Sequence, residues 1–325
     1  MPRSRRAPRA APTLARARAA AFGLALALGL AGCGGSSSPA APGSTPATSV
    51  VGSSAPAARL AFGPPVLRGQ IADERVTESS GLVSSRRYPG RLWTHNDSDT
   101  APMLFCVEPD GASCGGWTVA GATNVDWEDI AAGPGPDAGE RYLYVGDIGD
   151  NTESRAGVVV YRVVEPTVAA VGTAAATTGT TAPATAIPLR YDDGPHNAES
   201  LMVHPVTGDI YVVIKALGDA GVYRAHAGDD VLTRVGGLGL GLFGLATGAD
   251  LSPDGRRVAV CTPVGGFELT LAEGAPFDSI WDSEARPVTF PALDQGEGIA
   301  YRLDGDALFV SSEGYPSPLY ELPRL

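Results

Sequence analysis

Lysine is almost missing from this sequence: Lys215 stands alone beside 23 arginines. The four histidines are scattered, and the four cysteines show no CxxC or Cys/His spacing, which excludes a structural zinc module. There is no G-x-S-x-G elbow, H-E-x-x-H helix, P-loop or dinucleotide fingerprint, so the common hydrolase, zinc-protease and nucleotide-binding templates drop out. No helical period of useful length occurs beyond the N-terminus. Base is scarce overall, with 24 Lys and Arg against 36 Asp and Glu and a net charge of −12. So acidic a surface repels nucleic acid and anionic lipid head groups. It is compatible with cations, or with an anionic substrate bridged by a metal.

What is present begins with a processing signal. Arg3, Arg5, Arg6, Arg9, Arg16 and Arg18 precede the apolar run "AAAFGLALALGLAGC", which is too short to span a bilayer as a mature helix. The "LAGC" ending at Cys33 resembles the lipobox of bacterial lipoproteins. That resemblance implies a signal peptide over 1–32, cleavage before Cys33 and lipid on its sulfur. The protein would then sit at the extracytoplasmic face of a bacterial membrane, held by the lipid anchor only. An ordinary secretory peptide is the alternative, and "SRR" at 4–6 hints at the twin-arginine route. Residues 33–58 are uncharged and Gly/Ser/Pro-rich, a flexible linker reaching roughly 25–30 Å. Cleavage would leave 18 basic against 36 acidic residues.

The globular part, 59–325, carries a repeat. "ESSGL" (78–82), "DWEDI" (126–130), "NAESL" (197–201), "TGADL" (247–251) and "QGEGI" (295–299) share one pattern, with starts 48, 71, 50 and 48 residues apart. The long interval contains an Ala/Thr-rich insertion, 167–186, whose removal leaves 51. Each segment is followed by a second strand, such as "GRLWTHND" or "DALFVSSEG", and by third and fourth strands separated by turns such as "EPDG" and "SPDG". Such a period predicts an all-β, five-bladed β-propeller of four-stranded blades. The 31 residues from Gln295 and the 19 of 59–77 together make one period, so the N-terminal strand is expected to close the last blade. Six blades is the alternative, were the insertion to hide a degenerate one. "GGLGLGLFGLATG" near 236–248 reads as a loop or edge strand.

First strands of a propeller line its channel, and positions i and i+2 share one side of a strand. The first motif positions are Glu78, Asp126, Asn197, Thr247 and Gln295; the third are Ser80, Glu128, Glu199, Ala249 and Glu297. Three carboxylates converging on an axis repel unless protonated or metal-bound. Calcium, which takes six to eight oxygens in tolerant geometry, answers that need. The candidate metal ligands are therefore Ser80, Glu128, Glu199 and Glu297, with Glu78 and Asp126; a hydrated polar channel is the alternative. At the fourth repeat only the Ala249 carbonyl, a water or Asp250 is on offer. The second strands align Asn96, Asp147, Ile214, Thr262 and Ser312 at one level and Asp97, Ile148, Lys215, Pro263 and Glu313 at the next. Asp97, Asp99, Asp147 and Asp150 are either a second hard-cation site or solvated turns. Lys215 either neutralises acids or takes part in catalysis, and His95 is either structural or a general base.

The ring of Ser, Glu, Glu and Glu resembles the axial calcium site of five-bladed calcium-activated nucleotidases, the apyrases. "LWTHND", "DWEDIA", "GDIGDN", "NAES" and "QGEGIAY" resemble uncharacterised secreted bacterial propeller lipoproteins and, more loosely, phytase-like and esterase-like propellers. These resemblances imply Ca2+ and phosphoester chemistry, although the nucleotidases' substrate-site motifs are absent. The expected function is a monomeric, calcium-binding module that takes a small-molecule or protein ligand at the channel mouth. The alternative is a calcium-dependent phosphohydrolase, with catalytic candidates Asp97, Glu313 and Lys215. Cys106 and Cys114 flank a hairpin turn and are expected to pair, for about 2–3 kcal/mol. Cys261 reads as a buried strand thiol.

Overall fold

The computed structural model describes residues 61–168, 177–241 and 245–325. The expected signal peptide over 1–32, Cys33 and the whole of the expected linker to residue 58 lie outside the described residues. The described chain is all-β apart from a short 3-10 helix at Phe277–Asp282.

Its strands form antiparallel meanders in which each new strand pairs with the one before. After β1 (Val66–Ile71), which belongs to the last sheet, the first comprises β2 (Ser79–Ser84), β3 (Leu92–Asn96), β4 (Met103–Val107) and β5 (Ser113–Thr118). The second comprises β6 (Trp127–Gly133), β7 (Tyr142–Asp147) and β8 (Val158–Val164), then β10 (Thr185–Tyr191), with β9 (Thr177–Thr180) intervening. The third runs through β11 (Ala198–Val203), β12 (Ile210–Ile214), β13 (Gly218–Ala225) and β14 (Val231–Gly241). The fourth runs through β15 (Gly248–Leu251), β16 (Arg257–Thr262), β17 (Gly265–Thr270) and β18 (Arg286–Val288). The last is β19 (Gly296–Tyr301), β20 (Ala307–Ser312) and β21 (Ser317–Pro323), completed by β1 from the far end of the described chain. β1 pairs antiparallel with β21, Val66 opposite Glu321 and Ile71 opposite Ser317.

The second and third meanders share one hydrogen-bonded sheet, joined only where Arg190 and Tyr191 of β10 pair with Val231 and Leu232 of β14. The glycine-rich stretch supplies much of β14, an outer strand, and so takes the edge-strand reading. Part of the insertion, 167–186, is structured among the described residues. β9 adds in parallel to the edge of β5, and Val168 is buried with its N–H donating to Tyr88 Oη at 3.0 Å. The insertion's described residues thus extend existing sheets, at β5 through β9 and in the first residues of β10.

The first strands β2, β6, β11, β15 and β19 touch in a closed cycle, each against the next and β19 against β2. Crowding at their convergence explains their small residues. A Cβ on Gly248 would lie 2.2 Å from the Glu297 carbonyl oxygen. The apolar core is divided accordingly, one cluster between each neighbouring pair of meanders. Trp93, Leu104, Leu143 and Tyr161 fill one such space; Leu82, Phe105, Phe309 and Leu319 fill the space where the last meander meets the first. Alternation along the outer strands feeds these layers, as in β8, where buried and half-buried residues interleave. Cys106 and Cys114 form a disulfide with a Cα–Cα separation of 5.0 Å, and Cys261 is a buried free thiol.

Candidate acidic channel site

Each first strand starts from a turn held by the strand that follows it. Asn96 Oδ1 accepts the N–H of Glu78 at 3.2 Å, Asp147 Oδ1 that of Asp126 at 3.3 Å, and Ser312 Oγ that of Gln295 at 3.0 Å. The level aligned from the sequence therefore caps backbone. One residue further on, the N–H groups of Asp97, Lys215 and Glu313 donate to the carbonyls of Glu78, Asn197 and Gln295. In the second meander that place falls to Gly149, whose N–H donates to Asp126, because the "GDIGDN" turn carries one extra residue. Ile148, aligned here by sequence, is fully buried in the apolar core.

This register collects the acids. Carboxylate oxygens of Asp97, Asp126 and Glu128 lie within 4.8 Å of one another. Glu128, Glu199 and Glu297 are all buried, at 5–6% exposure. Glu199 Oε1 accepts from Lys215 Nζ at 2.5 Å, and Glu297 Oε1 from Gln295 Nε2 at 2.5 Å. Gly149 leaves the space in which two of these groups sit. A Cβ there would be 2.1 Å from Glu128 Oε1 and 2.4 Å from Asp126 Oδ2.

Electrostatics follow from that crowding. Burial pushes the Glu128 carboxyl well up, and Glu199, Asp97, Asp126 and Glu297 add to it. Burial and then Glu313 raise Glu297 to about 9. Asp97 is raised to about 7, by burial first, with the Ser98 amide opposing and Asp126, Glu313 and Glu199 adding. Burial raises Glu199 too, with Lys215 opposing it. Burial works against the Lys215 ammonium, but Glu199, Glu128 and Glu297 outweigh it and hold the proton on. The group is thus a set of desolvated oxygens with a single ammonium among them, an arrangement that favours a bound cation.

The other acids have other work. Asp129 is buried one step further along β6. Its Oδ2 accepts the amides of Leu201 at 2.8 Å and Ala249 at 3.0 Å, tying three meanders together. Asp250 accepts the amides of Leu251 and Tyr301 at 2.8 and 2.7 Å, so its carboxylate is not free to serve the fourth repeat. The Ser80 hydroxyl donates to the Glu128 carbonyl at 2.5 Å, and Glu78 is exposed, next to Glu313. The proposed set Asp97, Asp99, Asp147 and Asp150 does not converge. Asp147 pairs with Arg155 at 2.8 Å, and Asp150 accepts the Arg155 amide at 2.7 Å. His95 is fully buried, edge-on to Trp127, and burial lowers it to about 4, which removes it as a general base at the mouth. Gly149 is the member of the group that the sequence alignment missed, whereas Asp97 was aligned with Lys215 and Glu313 but grouped with Asp99, Asp147 and Asp150. The signal available was the alignment of Asp97 with Lys215 and Glu313 at the ends of the second strands.

No family model matches the chain, and no curated protein matches it. Among solved structures, a luciferin-regenerating enzyme aligns over 81% of this chain and 96% of its own at 12% identity, with a TM-score of 0.45. A chain of a nidogen/laminin complex aligns over 73% of each at 12% identity, with a TM-score of 0.43. A putative 6-phosphogluconolactonase from Bacteroides uniformis covers 74% of this chain and 66% of its own at 13% identity, with a TM-score of 0.38. These are distant likenesses between multi-sheet β structures, and the site rests on this chain's own residues.

Proposed function

We propose that the chain is a five-bladed β-propeller lipoprotein that binds Ca2+ at the acidic end of its channel and uses that face as an extracytoplasmic ligand- or partner-binding module. Five blades are supported by the closed cycle of first strands and by β1 completing the sheet of β19–β21. The calcium reading is carried by one observation: Asp97, Asp126, Glu128, Glu199, Glu297 and Glu313 act on one another across a small space whose near cations are Lys215, beside Glu199, and Arg155, which acts on Asp126. Asp97, Asp126 and Glu128 are the first ligands to expect, and Gly149 keeps their space open. The "LAGC" sequence supports anchoring through Cys33; Cys33→Ala should release the protein from membranes, and continued membrane fractionation would refute the anchor.

A calcium-dependent phosphohydrolase is the second reading. The position of Asp97, a carboxyl poised near neutrality at the mouth, favours it. Against it, Lys215 is committed to Glu199, and no histidine reaches the acids. The test is thermal melting of the purified protein after chelation, with Ca2+ or Mg2+ added back. Calcium should raise the melting temperature by many degrees, and Glu128→Gln combined with Glu199→Gln should abolish the rise. A double variant that responds as wild type does would remove the site.

A further inference from the structure

Among the described residues only Arg86, Arg141, Arg162, Arg256 and Arg286 stand outside an ion pair. Three of these five lie at the loop 134–141 that follows β6: Arg141 is its last residue, and Arg86 and Arg162 line the pockets beside it. β6 begins beside the acidic group and ends at Gly133, so this loop lies at the other end of the channel. Arg86 follows the end of β2 in the same way, and its charge is felt by the buried Asp250.

Two adjoining pockets share Pro134 and Gly135. One, of about 360 Å³, is bordered by Arg86, Arg141, Gly133 and Pro205; the other, of about 430 Å³, by Arg162, Tyr144, Ile187 and Ile210. The acids of the first pocket are already engaged. Asp137 accepts from the Tyr142 hydroxyl at 2.6 Å, and Glu140 from Arg87 at 2.6 Å. Two guanidinium N–H groups around the loop, Arg87 Nε and Arg162 Nε, are buried with no acceptor. A buried donor without an acceptor is uncommon in a folded protein and asks for a partner. Counting Arg87, which is held by Glu140, three guanidiniums stand against two carboxylates, Asp137 and Glu140, at the first pocket, a local excess of positive charge in a chain of net charge −12.

We propose that the pocket beside Arg86 and Arg141 binds the oxyanion group of a small organic anion, a carboxylate or a phosphate ester. A guanidinium offers paired donors that match either group, and a space of this size suits a small metabolite. The protein would thus take a cation at one end of its channel and an anion at the other.

The test is calorimetric titration of the full-length protein, in detergent and chelator, with succinate and with inorganic phosphate at fixed ionic strength. Working in chelator separates the outcome from the calcium reading. Saturable binding is expected, weakened at least tenfold by Arg86→Gln and by Arg141→Gln and unchanged by Arg286→Gln. Arg141 is exposed, so its variant folds whatever becomes of the other. Saturation by succinate assigns a carboxylate ligand, and saturation by phosphate assigns a phosphate ester. Saturation by neither, or an equal loss in Arg286→Gln, overturns the proposal.

Discussion

Replacing Glu297 by glutamine should stabilise the metal-free protein, and the structure sets the size of the effect. Burial and Glu313 lift the Glu297 carboxyl from 4.5 to about 9. At pH 7 the unfolded chain has therefore lost a proton that the folded chain keeps. Stability is fully present below pH 4.5 and declines as pH rises through the window up to about 9. Each pH unit costs about 1.4 kcal/mol, so the penalty at pH 7 is roughly 3 kcal/mol. Glutamine carries no such penalty and keeps the oxygen that accepts from Gln295 at 2.5 Å. In a domain of this size about 3 kcal/mol corresponds to roughly 6–12 °C in Tm. The assay is melting in chelator from pH 4.5 to 8, wild type beside Glu297→Gln. The curves should meet at the acid end and part as pH rises, the variant melting higher. With calcium added the order should reverse, because the ion stabilises the ionised carboxylate that only the wild type has. A variant melting at or below wild type at pH 7 in chelator would refute the reasoning.

Three further outcomes are expected. Gly149→Ala should remove calcium-dependent stabilisation, because the added methyl takes the space of Glu128 Oε1 and Asp126 Oδ2; an unchanged calcium titration would place the ion elsewhere. Lys215→Met should tighten calcium binding several-fold and lower stability in chelator by about 1–3 kcal/mol, since Glu199 loses its charged partner; weaker binding would make Lys215 a support of the site instead of a competitor. His95, lowered by burial to about 4, should contribute stability that is present above pH 6.5 and lost as pH falls towards 4, about 2 kcal/mol by pH 5. Urea midpoints at pH 7 and pH 5 for wild type and His95→Gln should differ by that amount, and parallel losses would clear His95 of the effect.

The strand plan was legible because its signals are local. The turns, the five motif repeats and the missing strand of the last repeat all lie along the sequence, and the structure pairs β1 with β21 as the spacing requires. The acidic channel was half legible. Glu128, Glu199 and Glu297 were visible as a ring, since the motif puts them at one position. Asp97 was aligned with Lys215 and Glu313, and the structure joins it to the ring through the backbone bond to Glu78; Gly149 replaces Ile148 through a one-residue offset in a turn, which leaves no mark in spacing. Ala249 shows the limit most plainly. It looked like a gap among acceptors, yet its N–H is a donor to Asp129, 120 residues earlier. The opposite pocket left no sequence signal, because an arginine without a partner looks like any other until the acids around it are placed.

The closing strand also sets an order of events in time. β1 is among the first described residues to be synthesised, yet its partner β21 is among the last. Until Ser317–Pro323 exists, Val66–Ile71 has no ladder to join. It does have a second landing place, made much earlier. The Ala72 amide donates to Gly111 at 3.0 Å, and Gly69 lies so close to Asp110 that it has no room for a side chain. That turn is the one clasped by Cys106 and Cys114. Oxidation of this pair can therefore shape the waiting berth for β1 long before the chain is complete, and a reducing compartment would leave the final closure to the late-arriving strand alone.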